Sequence, residues 1–318
     1  MSITRRFSKM AVLFTIGLQA WTGCFSIPGN RYAAFYAQGG TMRHQIIELD
    51  CDYSRAGIGA PQQKATLHTY ILDNSLEMQP FRRRPMVLIC PGGGYEFTSF
   101  REGEHIAVRM NALGFQAAIL KYSCKPAVFP APQLEAAAAV ALIRKNAAAW
   151  HIHPKKIIAA GFSAGGHLAA SLGTLWNEPF LSELTGVKPA LIRPNALLLC
   201  YPVITSGEFA HKGSFKALLA ERHDELLESV SLEKRVTSDT PPAFIWHTVE
   251  DQLVPVENSM LFAQALRAKG VPFEMHLYQR GGHGLAAATE ETANSLGWGI
   301  QEDCQGWIDL AGRWIRSL

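Results

Sequence analysis

Residues 156–173 read KIIAAGFSAGGHLAASLG, and no other stretch narrows the choice of folds so far. The apolar run 156–162, with β-branched residues at its start, suits a buried strand, and the small-residue run after it suits a helix packed close to its neighbours. Between them lies Gly161-Phe162-Ser163-Ala164-Gly165. A turn this sharp lifts a serine hydroxyl clear of a sheet and strains the serine backbone by roughly 1–3 kcal/mol. Glycines on both sides remove side chains that would crowd it. The pattern is G-x-S-x-G, whose structural context is a strand before and a helix after. Taken alone the five residues arise by chance roughly once in ten chains of this length, so the rest of the chain decides what Ser163 is for.

That remainder alternates between the two kinds of element. Runs at 46–49, 67–72, 86–90, 115–121, 156–162, 195–201, 242–248 and 273–278 read as strands, several of them continuously apolar as buried parallel strands are. Residues 102–113, 133–150 and 163–175 read as helices, stopped near Gly114 and Pro154. The β-α-β-α order predicts an α/β fold with a mainly parallel eight-stranded sheet and helices on both faces. Residues 207–240, the most charged long stretch of the body, are expected to insert a small helical cap between strands, either a lid or a solvated excursion.

Charged residues make up 18% of the chain, below the roughly 25% of ordinary soluble proteins, which fits a large interior. The net charge of +3 comes from the first 41 residues, which hold Arg5, Arg6, Lys9 and Arg31 and no acid. From Met42 onward 26 basic residues face 27 acidic ones, a balance that argues against nucleic acid or a stable membrane partner. The six cysteines, Cys24, Cys51, Cys90, Cys124, Cys200 and Cys304, contain no C-x-x-C pair. Cys90 and Cys200 sit in apolar runs, so free core thiols and a reducing compartment are expected.

Two readings of the leader follow. Residues 5–24 have a basic start, an apolar stretch and small residues before Cys24, as an export signal has. Trp21-Thr22-Gly23-Cys24 resembles a lipoprotein cleavage site, with Trp21 departing from the usual aliphatic residue. The favoured reading makes residues 1–41 translated upstream DNA. Gln38-Gly39-Gly40-Thr41-Met42 can be encoded with a bacterial ribosome-binding sequence just before an ATG, which makes Met42 the start of a cytoplasmic enzyme.

Three further features bear on Ser163. Cys90-Pro91-Gly92-Gly93-Gly94-Tyr95 follows the strand at 86–90 directly, where backbone N–H groups can approach a developing oxyanion. Gly93 is the expected donor, Gly94 the alternate, and Ala164 N–H the second donor; Pro91 stands where the related H-G-G-G loop carries histidine. Asp251 follows the strand at 242–248 and is the expected orienting acid, with Glu250 as its rival. His283, between glycines after the last strand, is the expected base. His167, one turn after Ser163, lines a pocket floor or simply packs, and His151 and His153 lack helical metal-pair spacing. A nucleophile, a base and an oxyanion hole complete an ester's chemistry, so no metal or cofactor is required.

The chain resembles bacterial α/β-hydrolase esterases of the BD-FAE-like, acetylxylan esterase-like family. The resemblance rests on CPGGGY (90–95), FREGE (100–104), LKYS (120–123), GFSAGGHLAASLG (161–173), CYPVITSG (200–207), TPPAFIWHTVEDQLVPVENS (240–259) and GGHG (281–284) and covers essentially 42–318. It implies hydrolysis by Ser163, Asp251 and His283 of a small-molecule or oligosaccharide ester, with acetyl groups on xylose-containing oligosaccharides as the expected substrate. It also suggests Tyr95, Arg101 and Glu102 as pocket-rim, substrate-binding residues. Other readings are a prolyl-oligopeptidase-type peptidase or aminopeptidase, and a non-catalytic binding protein on the same scaffold.

Overall fold

A computed structural model describes residues 41–318. The leader readings, with residues 5–24 and Cys24, lie outside the described residues. Residues 41–73 and 81–318 make one body. Residues 74–80 are a turn closed by Asn74 Nδ2 donating to Pro80 O at 3.0 Å.

The body is built on eight strands: β1 (Arg43–Glu48), β2 (Thr66–Ile71), β3 (Arg84–Cys90), β4 (Gln116–Lys121), β5 (Ile152–Phe162), β6 (Ala196–Cys200), β7 (Ala243–Thr248) and β8 (Phe273–Tyr278). They form one sheet in the order β1-β2-β4-β3-β5-β6-β7-β8. The first two pairings, β1 with β2 and β2 with β4, are antiparallel, and the other five are parallel. The central strands are buried along nearly their whole length because helices cover both faces, which is why they read as unbroken apolar runs.

The longer helices are α1 (Glu104–Ala112), α2 (Ala131–Lys145), α3 (Ala164–Leu175), α4 (Lys212–Leu219), α5 (Glu257–Ala268) and α6 (Trp307–Ser317), and all but α4 pack on the sheet. All twelve residues of α3 are buried, and its small side chains let it lie directly on the sheet. A Cβ at Gly173 would stand 2.7 Å from Leu197 Cδ1 of β6. The last helix buries Trp307, Ile308, Ala311, Gly312 and Ile315 along one face. Trp307 stacks on Trp246 of β7 with ring centroids 5.2 Å apart.

The charged segment between β6 and β7 holds α4 and several short helical turns. It is less superficial than its composition suggests, since Phe215, Leu218, Val230 and Leu232 are buried in the core. The described cysteines Cys51, Cys90, Cys124, Cys200 and Cys304 are free, and burial pushes the Cys90 thiol up to about 12.

Candidate active site

Ser163 sits between β5 and α3 with φ 53° and ψ −121°, a conformation non-glycine residues rarely adopt. The backbone is clamped there from several sides. Ser163 N–H donates to Cys200 O at 3.0 Å, while Ser163 O accepts from Val203 N–H at 3.0 Å and His167 N–H at 3.2 Å. The flanking glycines are required by contact: a Cβ on Gly161 would lie 2.1 Å from Gly165 O, and one on Gly165 would lie 2.1 Å from Cys90 O.

His283 arrives on the loop after β8, and Asp251 on the loop after β7. The Asp251 carboxylate can only accept, so His283 Nδ1 carries the hydrogen and donates to Oδ2 at 2.7 Å. That leaves Nε2 bare to accept from the Ser163 hydroxyl at 2.8 Å. Asp251 Oδ1 accepts from the N–H groups of Leu253 at 2.9 Å and Val254 at 3.0 Å. Burial by itself would raise this carboxyl's pKa. Hydrogen bonds from His247 and His283, the charge on His283 and the Val254 N–H outweigh it and hold the group well below the usual carboxylate range. Asp251 therefore stays ionised beside the His283 ring. Its neighbour Glu250 is exposed and accepts instead from Gly281 N–H at 3.1 Å, on the loop that carries His283.

The glycine loop lies against Ser163. A Cβ on Gly92 would be 2.8 Å from Ser163 Cβ, and Gly93 has φ +126°, which no ordinary side chain permits at low cost. Gly92 N–H is already used, donating to Glu102 Oε2 at 2.7 Å. The N–H groups of Gly93, Gly94 and Ala164 have no acceptor among the described residues, and Ala164 heads α3, where the helix dipole adds positive potential. Such donors at the nucleophile can stabilise charge on an attacked carbonyl oxygen.

Two of the suggested rim residues turn inward. Glu102 is buried, its Oε1 accepting from the Tyr201 hydroxyl at 2.7 Å while Oε2 holds Gly92. It braces the glycine loop rather than facing substrate. Tyr95 is only 2% exposed, and its hydroxyl donates to His167 Nδ1 at 2.9 Å. Both residues are buried, with their polar ends satisfied by buried partners. Arg101 is half-buried and donates through Nε to Thr292 O, tying its loop to the segment after His283.

His167 packs rather than lining a pocket floor. Its Nε2–H donates to Val230 O at 2.9 Å, and burial lowers its pKa to about 4, so the ring is neutral near pH 7. His151 pairs with Asp73 at 2.8 Å at the start of β5. Two residues at the site escaped the sequence reading. Tyr201 presents its ring edge-on to His283 with centroids 5.2 Å apart, and its hydroxyl accepts from Ala286 N–H at 2.9 Å. His247 is wholly buried and reaches the second side of Asp251. The available signal was its place inside a fully buried strand, since a buried imidazole needs partners.

A groove of about 630 Å³ opens beside the glycine loop, lined in part by Gln63, Glu96, Phe97, Phe100, Lys121 and Lys125. It lies at the carboxyl ends of β3 and β4, the sheet edge that also carries Ser163. Phe97 and Phe100 are exposed there at 62% and 83%. Neither this groove nor a second cavity of about 660 Å³ between β1 and α2 is lined by Ser163, Asp251 or His283.

This sheet, with a serine, an aspartate and a histidine delivered in that chain order from the ends of β5, β7 and β8, defines an α/β-hydrolase. Residues 72–266 match the BD-FAE family model, and the chain belongs to that family. It is 41% identical over 219 residues to endo-1,4-beta-xylanase B of Butyrivibrio fibrisolvens, covering 66% of this chain and 34% of that protein. It is 31% identical over 235 residues to the acetylxylan esterase of Xylanibacter ruminicola, covering 72% and 44%. The chain thus spans less than half the length of either relative. Among solved structures, the acetyl ester-xyloside bifunctional hydrolase from Caldicellulosiruptor lactoaceticus matches with a TM-score of 0.73 at 37% identity, over 86% of this chain and 96% of that one. The carboxylesterase Cest-2923 from Lactobacillus plantarum WCFS1 matches with a TM-score of 0.73 at 27% identity, over 87% and 97%.

Proposed function

We propose that the protein is a serine carboxylic ester hydrolase that removes acetyl groups from acetylated xylo-oligosaccharides. The observation that carries the reading is the unbroken hydrogen-bonded line from Ser163 Oγ through His283 to Asp251, at 2.8 and 2.7 Å, beside backbone N–H groups with no acceptor among the described residues. Ser163 Oγ attacks the ester carbonyl carbon as its proton passes to His283 Nε2. The N–H groups of Gly93 and Ala164, with Gly94 as alternate, hold the oxyanion. Collapse breaks the bond to the sugar oxygen, which takes the proton from His283 and leaves as the alcohol. Water, deprotonated by His283, then attacks the acetyl-serine, and the enzyme is restored with release of acetate.

The sugar side of the ester is supported by the neighbouring groove, whose exposed Phe97 and Phe100 offer flat faces to a pyranose and whose Gln63, Glu96 and lysines offer hydrogen bonds. The names of the xylan-related relatives point the same way. The test compares acetylated xylo-oligosaccharides, p-nitrophenyl acetate and an aminoacyl p-nitroanilide on the wild type and on Ser163→Ala. The expected result is acetate release from the first two and a loss of about 10⁵- to 10⁶-fold in the variant. Wild-type-like ester turnover by Ser163→Ala overturns the mechanism, and preference for the anilide overturns the substrate class.

A further inference from the structure

The Asp251 carboxylate is held by two histidines. One is His283. The other, His247, enters from β7 with no exposed surface and brings Nε2 to 3.2 Å from Asp251 Oδ2, the same oxygen that His283 Nδ1 meets at 2.7 Å. The Nε2 atom of His247 also stands 3.0 Å from Val254 O. A carbonyl and a carboxylate both accept only, so Nε2 of His247 carries a hydrogen shared between them, whatever the charge on the ring. On the far side, Nδ1 lies 2.8 Å from Ser259 Oγ in the first turn of α5. Ser259 is itself wholly buried. The imidazole is therefore fixed at both ring nitrogens by groups from two separate elements.

We propose that His247 is a positioning residue of the triad, its Nε2–H fixing the rotation of the Asp251 carboxylate so that Oδ2 meets His283 Nδ1. The proposal rests on the serine-hydrolase reading above. The carboxylate has two rotational anchors: the Leu253 and Val254 N–H groups pin Oδ1, and His247 pins Oδ2. The carboxylate is planar and turns as one unit, so the backbone pair on Oδ1 limits its rotation and the tie at Oδ2 narrows it further. With His247 in place, the remaining lone pair of Oδ2 points at the base. The Nε2–H also draws off part of the carboxylate's charge, which moderates how strongly Asp251 holds an imidazolium at His283.

The titratable groups that face His283 are Asp251 from the loop after β7, Tyr201 from the end of β6, and His211 from the segment before α4, whose own pKa is lowered by burial and by the charge on His283. His247 faces only Asp251 among such groups of the described residues. Replacing His247 therefore changes one contact in the chain of groups that sets the acid limb of the pH–rate profile.

The experiment measures kcat and kcat/KM for p-nitrophenyl acetate against pH in the full chain, for wild type, His247→Leu and His247→Gln. Leucine keeps similar volume without a donor. Glutamine puts an amide nitrogen the same number of bonds from Cβ as Nε2. His247→Leu is expected to lower kcat by about 10- to 100-fold, the scale of lost outer ties to catalytic-site histidines and carboxylates. It is also expected to move the acid limb of kcat/KM up by roughly half to one pH unit, because an unshared Asp251 charge holds the proton on the base more tightly. His247→Gln recovers most of both effects. A structural role alone would lower activity without moving the limb. An unmoved acid limb in folded His247→Leu overturns the proposal. If that variant does not fold, Ser259→Ala is read in its place: a limb shifted upward supports the proposal, and an unmoved one overturns it. Activity that survives in Ser163→Ala marks failure of the underlying mechanism instead, since the His247 comparison is made only on turnover that Ser163 supports.

Discussion

Around Ser163 nearly every constraint is main chain: a positive φ, three hydrogen bonds through its own N–H and carbonyl, and two glycines whose missing Cβ atoms would each lie 2.1 Å from a neighbouring carbonyl oxygen. Around Asp251 and His283 the constraints are mostly side chain: His247, Ser259, Tyr201 and Glu250 reach in from four places in the sequence. The two halves should therefore fail differently. A backbone-built half breaks when an atom is added, because interiors are close-packed and two main-chain segments cannot part locally. A side-chain-built half breaks when a polar group is exchanged, with the fold left standing.

The largest expected effect tests this contrast with a pair of variants. Asp251→Asn puts an amide nitrogen where Oδ2 now accepts, so His283 Nδ1 must accept and the hydrogen moves to Nε2, which can no longer take the serine proton. A loss of about 10⁴-fold in kcat is expected, with a thermal melt close to wild type. Gly165→Ala is expected to lower stability by about 3 kcal/mol or more, with activity lost alongside the folded protein, because its Cβ meets both Cys90 O and Pro91 O. If Asp251→Asn unfolds and Gly165→Ala melts like the wild type, the two halves of the site do not divide in this way.

The same contrast explains what could be read before the structure. A glycine forced by contact leaves a mark in the sequence, and Gly161, Gly165 and the run Gly92–Gly94 marked the surroundings of Ser163 from residue type alone. The central strands lie where apolar runs placed them, because a sheet covered on both faces selects residue types along their length, whereas the edge strand β1 begins three residues before the expected 46–49, in the polar stretch Arg43-His44-Gln45, because it is largely exposed and carries little apolar signal. Side-chain direction leaves no such mark. Tyr95 and Glu102 sit in motif-like stretches next to the site, yet both turn inward to buried partners. His247 and Tyr201 looked like ordinary members of apolar runs, and only the packing of β6 and β7 shows that they touch the acid and the base. In the segment 207–240 charge density masked the buried Phe215, Leu218 and Val230, since few apolar residues are needed to anchor a short helix.

A titratable group inside the backbone-built half gives a stability test. His167 of α3 is held neutral by burial, with its pKa lowered to about 4, while in the unfolded chain it titrates near 6.5. Between these values the unfolded state binds more protons, so the contribution is complete above about pH 6.5 and is lost as pH falls toward 4. Its upper size is about 3 kcal/mol. His167→Gln removes the titration while an amide can still meet Tyr95 or Val230. Urea melts at pH 7 and pH 4.5 are expected to show a smaller drop in the variant than in the wild type. Equal drops would mean that the ring is not kept neutral by its surroundings.

The smallest effect concerns the residue beside the acid. Glu250 and Asp251 are adjacent carboxylates at the same strand end, and the sequence alone leaves them as rivals. Asp251 is enclosed and accepts four hydrogen bonds, from Leu253, Val254, His247 and His283. Glu250 is exposed and accepts one from Gly281 N–H. A single solvent-exposed hydrogen bond is worth about 1 kcal/mol at most, and it acts on His283 only through the path of the loop. Glu250→Gln, whose amide oxygen can still accept from Gly281, is expected to change kcat for p-nitrophenyl acetate by less than about twofold, and Glu250→Ala by a few-fold. Turnover at saturating substrate measures both. A loss in Glu250→Ala comparable to that of Asp251→Asn would show that the loop, and not the carboxylate opposite the imidazole, governs the base, and the side-chain half of the site would have to be redrawn around Gly281.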